Sequence, residues 1–163
     1  PHELCERIQA YSPVKLVELT GGEPLLQPDL SVLISLLYDR KYQILIETNG
    51  SIDLSQIPDY VHKIIDVKCP DSGEGKSFLK ENLLYFKPER DNLKFVISSE
   101  NDYLWAKAFL KNNHLAGESI IFSTVLNKLE PRVIAEWIIR DRLDVRFQLQ
   151  IHKFIWSPEQ KGV

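Results

Sequence analysis

Val14-Lys15-Leu16-Val17-Glu18-Leu19-Thr20-Gly21-Gly22-Glu23-Pro24 is the stretch on which the fold turns. Its first six residues are short and rich in branched side chains, which predicts a strand. The run stops at paired glycines, whose bare backbone a ligand can approach closely. Just beyond, Leu30, Leu33, Ile34 and Leu37 fall at i, i+3, i+4 and i+7, the spacing of a helix with one apolar face. Asp29 stands before that helix as its expected cap.

Outward from this stretch the same alternation repeats. Strands are expected over 43–47, stopped by Asn49-Gly50, over 63–67, stopped by Pro70 and Gly73, and over 94–97, 119–122 and 145–151. A helix is expected over about 102–111, with Trp105, Ala108 and Phe109 inward. Another opens on Pro131, with Ile134, Trp137 and Ile138 inward. Strands alternating with helices predict βαβ units, an α/β class and a mainly parallel sheet. A single domain over 1–163 is expected, as an open doubly wound sheet or a barrel. Either architecture places its site at the carboxyl ends of the strands.

Composition narrows the function. Of 163 residues, 44% are hydrophobic and 26% charged, a globular balance. Twenty basic against 23 acidic residues give a net charge of −3, so no basic field advertises a nucleic acid or a membrane. No apolar run approaches the ~20 residues that span a bilayer. Cys5 and Cys69 are too far apart in the chain for a local metal motif or a disulfide framework, which suits a reducing cytoplasm. The chain has no methionine and opens on Pro1, which is compatible with a piece of a longer protein.

The unusual residues do gather after the strands. Thr20-Gly21-Gly22-Glu23 offers free backbone groups for a zwitterion and a carboxylate for an ammonium group, or is an ordinary glycine turn with a solvated Glu. Glu47 could accept two parallel N–H bonds from an amidine-like edge, or simply reach solvent. Asp66 and Lys68 share one face of their strand, as an ion pair or as ligand contacts. Cys69 reads as a small buried hydrophobe. In the last strand, Arg146, Gln148, Gln150 and His152 alternate with apolar residues and suit a heterocycle, or a half-exposed edge.

Together the segments TGGEPLLQ, IETNGS, DVKCPDSG, LKFVIS, FSTV and LQIHKFIW, ending in GV, resemble a known family. Thr20 to Pro24 looks like the GGEP motif of radical S-adenosylmethionine enzymes. The ordered set, from about Val17 to Val163, is similar to the 7-carboxy-7-deazaguanine synthases. The resemblance implies a partial, incomplete (β/α) barrel with helices outside. It implies a lyase that contracts the ring of 6-carboxy-5,6,7,8-tetrahydropterin to give 7-carboxy-7-deazaguanine, on the route to queuosine. It further implies S-adenosylmethionine, a [4Fe-4S] cluster and Mg²⁺, with a 5′-deoxyadenosyl radical taking hydrogen from the substrate. A flavodoxin or ferredoxin as electron donor and a homodimer complete the expected partners.

Carried over by position, Thr20 matches a substrate contact and Gly22 a cofactor contact, with Glu23 in the same motif. Asp66, Val67 and Lys68 match the segment lying along the cofactor. Glu47, Gln150 and His152 are candidates for the pterin edge. Val163 is a further candidate if its carboxylate ends the chain. The family holds its cluster on three closely spaced cysteines before the GGEP strand, and here that stretch carries only Cys5. No metal ligand is therefore expected in this chain, no catalytic residue is assigned, and an N-terminally truncated, inactive piece of the synthase is the expectation. Two competing readings remain: a non-redox α/β module binding S-adenosylmethionine or a purine-like ligand, and another radical enzyme that shares only GGEP.

Overall fold

The computed structural model describes residues 1–125 and 127–156. The chain forms two compact units, one of residues 1–66 and 78–92, the other of 67–77 and those from 93 on.

The first unit contains α1 (His2–Gln9), β1 (Leu16–Leu19), α2 (Leu30–Asp39), β2 (Gln43–Thr48) and β3 (His62–Asp66). Its strands lie in chain order and pair in parallel, with Val17 opposite Ile44 and Ile46 opposite Lys63. The apolar stripe of α2 is where its spacing predicted. Leu33, Ile34 and Leu37 are buried in one cluster with Ile44, Ile46, Val61 and Cys5 of α1. Each such side chain contributes about 1.5–3 kcal/mol by leaving water. Val17 and Leu19 pack against the same cluster. Strand alternation therefore leaves Glu18 and Glu47 on the opposite face.

Asp29 does precede α2, but its side chain makes no capping bond. Its φ of −96° and ψ of 11° depart from the extended geometry that turns a cap side chain back onto the helix. Its carbonyl instead accepts from Leu33 N–H at 3.0 Å. Within β3, Lys63 is buried and its ammonium lies 2.8 Å from buried Asp91. Gly50, at φ +66°, turns the chain after β2. A side chain there would press Phe78 at 2.6 Å.

The second unit contains β4 (Asn92–Ile97, its first residue belonging to the first unit), α3 (Glu100–Asn112), β5 (Ile120–Thr124), α4 (Pro131–Asp141), β6 (Arg146–Phe147) and α5 (His152–Ile155). These strands also lie in chain order and pair in parallel. Phe95 stands opposite Phe122 and meets Phe109 and Phe122 edge-on at 5.5 and 5.6 Å. Such pairs add to area burial by about 0.5–1.5 kcal/mol. Buried Tyr103 leans on Trp137 of α4 and donates to Asp141 at 2.9 Å. Burial first, then this bond, hold its phenol well above the ordinary tyrosine range.

Two sequence expectations fail here. Helix α3 begins earlier than expected, because Ser99 caps it by accepting from Asp102 N–H at 3.1 Å. Its buried residues are Asp102, Tyr103, Ala106 and Leu110, and Ala108 is exposed. Trp105 and Phe109 flank them and do meet Phe95. The strand expected over 145–151 also shrinks to Arg146–Phe147, plus one bond from Gln148 N–H to Phe122 O at 2.9 Å. Strand β5 runs on to Thr124, two residues past the partner of Phe147, so it is the chain after Gln148 that leaves the ladder. The chain then turns, with Ile151 N–H donating to Leu149 O, and enters α5.

Candidate functional site

Within each unit the strands are parallel, so their carboxyl ends point one way and the loops that follow gather at one edge. In the first unit this edge begins with Gly21 at φ +101° and Gly22 at φ +56°, left-handed conformations suited to glycine. Beyond the adjoining residues, no atom lies within 4 Å of where a side chain would stand at either position. The backbone here borders open space that a ligand can enter.

Glu23 explains why this loop holds its shape. Its carboxylate is 8% exposed and accepts three bonds. Oε1 takes Thr48 Oγ1–H at 2.9 Å and Leu25 N–H at 3.2 Å, and Oε2 takes Asn49 N–H at 2.9 Å. The loop after β1 is thus clamped to the end of β2. Thr48 passes the connection on by accepting from Gly50 N–H at 3.1 Å. Asn82, 1% exposed, donates to Gly50 O and Ile52 O and accepts from Leu54 N–H, fixing the next stretch. On the opposite face of β2, Glu47 Oε2 accepts from Thr20 Oγ1–H at 3.4 Å. Two of the substrate candidates therefore meet beside the glycine pair.

Asp66, half-buried, ends β3 in the first unit. Val67 and Lys68 open the second unit. Val67 is fully buried and its N–H donates to Lys94 O at 2.9 Å, and Lys68 is half-buried. The loop that follows bends through a short 3-10 turn, Pro70–Ser72. Gln150 lies off the strand that was to carry it. Its Oε1 is buried and no donor among the described residues reaches it. His152 begins α5, so it does not share a strand face with Gln148 and Gln150, and its side chain lies outside the described set. Val163 also lies outside the described residues.

Sequence reading missed Thr48, Asn82 and Asp102, the side chains that shape these loops. The spacing of Ser99 and Asp102 signalled a helix start. Asn82 carried no local signal, because its partners lie about thirty residues away.

The residues fit one implied group and not another. The open, clamped glycine backbone suits the amino-acid end of S-adenosylmethionine. No group of three or more His, Cys, Asp or Glu among the described residues could hold a metal ion. Cys5 and Cys69 are both buried, and Cys5 accepts from Arg40 at 3.0 Å. Two separate buried thiols do not match a cluster that needs three closely spaced thiolates. No helix among them is long and apolar enough to cross a membrane.

Comparison with known proteins bears on the family. No family model matches the chain. Curated relatives do. The chain is 46% identical to 7-carboxy-7-deazaguanine synthase of Chlorobaculum tepidum, over 99% of this chain and 74% of that protein. It is 44% identical to the synthase of Koribacter versatilis, over 99% and 77%, and 37% identical to that of Clostridium acetobutylicum, over 92% and 70%. Among solved structures, Streptococcus suis SuiB superposes with a TM-score of 0.61 at 15% identity, over 99% of this chain and 45% of SuiB. SuiB bound to S-adenosylmethionine gives 0.56 at 14%, over 83% and 38%. The chain spans less than half of SuiB, and at such identities the likeness concerns the fold alone. The curated relatives carry the stronger statement, since they match nearly end to end along this chain and agree on one name: the chain belongs to the 7-carboxy-7-deazaguanine synthase family.

Proposed function

We propose that this chain supplies the S-adenosylmethionine and pterin contacts of a lyase that converts 6-carboxy-5,6,7,8-tetrahydropterin to 7-carboxy-7-deazaguanine. The observation that carries the reading is the glycine pair at the end of β1, left-handed, open in front and clamped from behind by Glu23. The backbone of Gly21 and Gly22 holds the amino-acid end of the cofactor. Glu23 already accepts three bonds from the chain, so it orients this backbone and does not serve as the main ammonium partner. Asp66, Val67 and Lys68 run along the cofactor. Thr20 and Glu47 face the pterin, the carboxylate taking parallel N–H bonds from its amidine-like edge. Gln150 offers a buried acceptor for a ligand donor, and His152 and Val163 complete the proposed set.

When bound, S-adenosylmethionine supplies the radical that takes hydrogen from the substrate. The chain's own residues bind, orient and exclude water around that event. Its two cysteines cannot supply three cluster thiolates, so these 163 residues do not hold the whole ligand set of the cluster. A flavodoxin or ferredoxin donor, a homodimer and a reducing cytoplasm, which suits two free thiols, complete the proposal.

The test uses the cluster-loaded enzyme. Wild type converts the pterin to 7-carboxy-7-deazaguanine. Thr20→Ala and Glu47→Gln retain S-adenosylmethionine affinity and raise the pterin Kd, Glu47→Gln by about tenfold or more, as for a charged hydrogen bond of about 1.5–3 kcal/mol. Wild-type pterin affinity in both variants would contradict the substrate assignment.

A further inference from the structure

The first turn of α3 buries a carboxylate that the proposed chemistry does not use. Asp102 is 1% exposed. Its Oδ1 accepts from Asp71 N–H at 2.9 Å, and its Oδ2 accepts from Ser98 N–H at 2.9 Å and Ser98 Oγ–H at 2.7 Å. Burying a carboxylate is costly unless hydrogen bonds replace its water. Here those bonds come from two different strand exits: Asp71 in the loop after β3, and Ser98 directly after β4. An apolar residue would fill the same space without tying the exits together.

The remaining contacts close the connection. Asp102 N–H donates to Ser99 Oγ, and Ser99 Oγ–H donates to Asp71 Oδ2 at 2.5 Å. Asn101 donates to Asp71 Oδ1 at 3.1 Å. Asp71 therefore engages α3 through its amide and both carboxylate oxygens. Stretch 67–71 is held at its start by Val67 on Lys94 O and at its end by Asp102. Between the two, Cys69 is buried and its carbonyl accepts from Ser72. Val67 and Lys68, two of the proposed cofactor contacts, lie inside this doubly anchored stretch.

We infer that Asp102 is a positioning residue for S-adenosylmethionine binding, holding the backbone of 67–71 and the Ser98 turn in the geometry that the cofactor meets. The inference rests on the proposed function, and the experiment separates the two. Amide exchange on the chain itself should show Asp71 and Ser98 protected in wild type and exchanging faster in Asp102→Asn. In the cluster-loaded enzyme, Asp102→Asn should weaken S-adenosylmethionine binding about tenfold, with the pterin Kd unchanged. Asp141→Asn is the control. It loses bonds to Tyr103 and Lys107 in the same unit, away from the strand exits, and should lower Tm without moving the cofactor Kd.

Wild-type cofactor affinity in Asp102→Asn overturns the inference alone. So does a loss that Asp141→Asn reproduces in proportion to its fall in Tm. Failure of wild type itself to bind S-adenosylmethionine overturns the functional reading and this inference with it. Should Asp102→Asn not fold, Asp71→Ala at its exposed position takes its place: a severalfold weaker cofactor Kd supports the inference, and an unchanged one overturns it.

Discussion

Glu23 and Lys63 show how single buried charges divide between site and scaffold. Glu23 serves the edge of the candidate site, and its bonds reach two backbone amides and the hydroxyl that ends β2. Lys63 points into the covered face of β3 and meets Asp91, which also accepts from the amides of Lys63 and Lys87 and from Arg90. This is scaffold. Lys63→Met should lower stability by about 3 kcal/mol, the low end for breaking a buried pair, because Arg90 and two amides still serve Asp91. Urea unfolding would measure it, and a midpoint at or above the parent's would show that the pair contributes nothing net. The role of Glu23 was only half legible in the sequence. Its motif marked it, but its partners Thr48 and Asn49 lie 25 and 26 residues away, and nothing local announces them.

At the scale of elements, periodicity was readable where one face is buried along its whole length. The stripe of α2 and the alternation of β2 and β4 are of this kind. Residues 145–151 alternate just as clearly, yet β6 leaves the ladder two positions before β5 ends, where the chain turns with Ile151 N–H on Leu149 O. The two ends of that segment should therefore respond differently to truncation. Phe147 stands opposite Phe122, and Phe147→Ala should cost about 2 kcal/mol or more, below the ~3–5 of a fully buried Phe. Leu149 is 36% exposed, and Leu149→Ala should cost under about 1 kcal/mol. Thermal melts compare them directly, and equal losses would mean that the apolar face continues past the turn.

For the molecule as a whole, the α/β class followed from strands alternating with helices, and the place proposed for the site from the glycines after β1. Both could be read because parallel strands put their exits at one edge. The pterin side was less legible, since Gln150 left its strand and the described residues stop before Val163. In the proposed function, the backbone at Gly22 is the floor on which S-adenosylmethionine rests. It is tested by calorimetric titration of S-adenosylmethionine into the cluster-loaded enzyme and its Gly22→Val variant. Gly117→Val serves as control, since Gly117 also has a positive φ, +97°, but precedes β5 at the far end of that strand. Both substitutions strain the backbone and should lower Tm. Only Gly22→Val should also weaken cofactor binding, by about tenfold or more. Unchanged affinity in folded Gly22→Val would place the cofactor elsewhere and contradict the account.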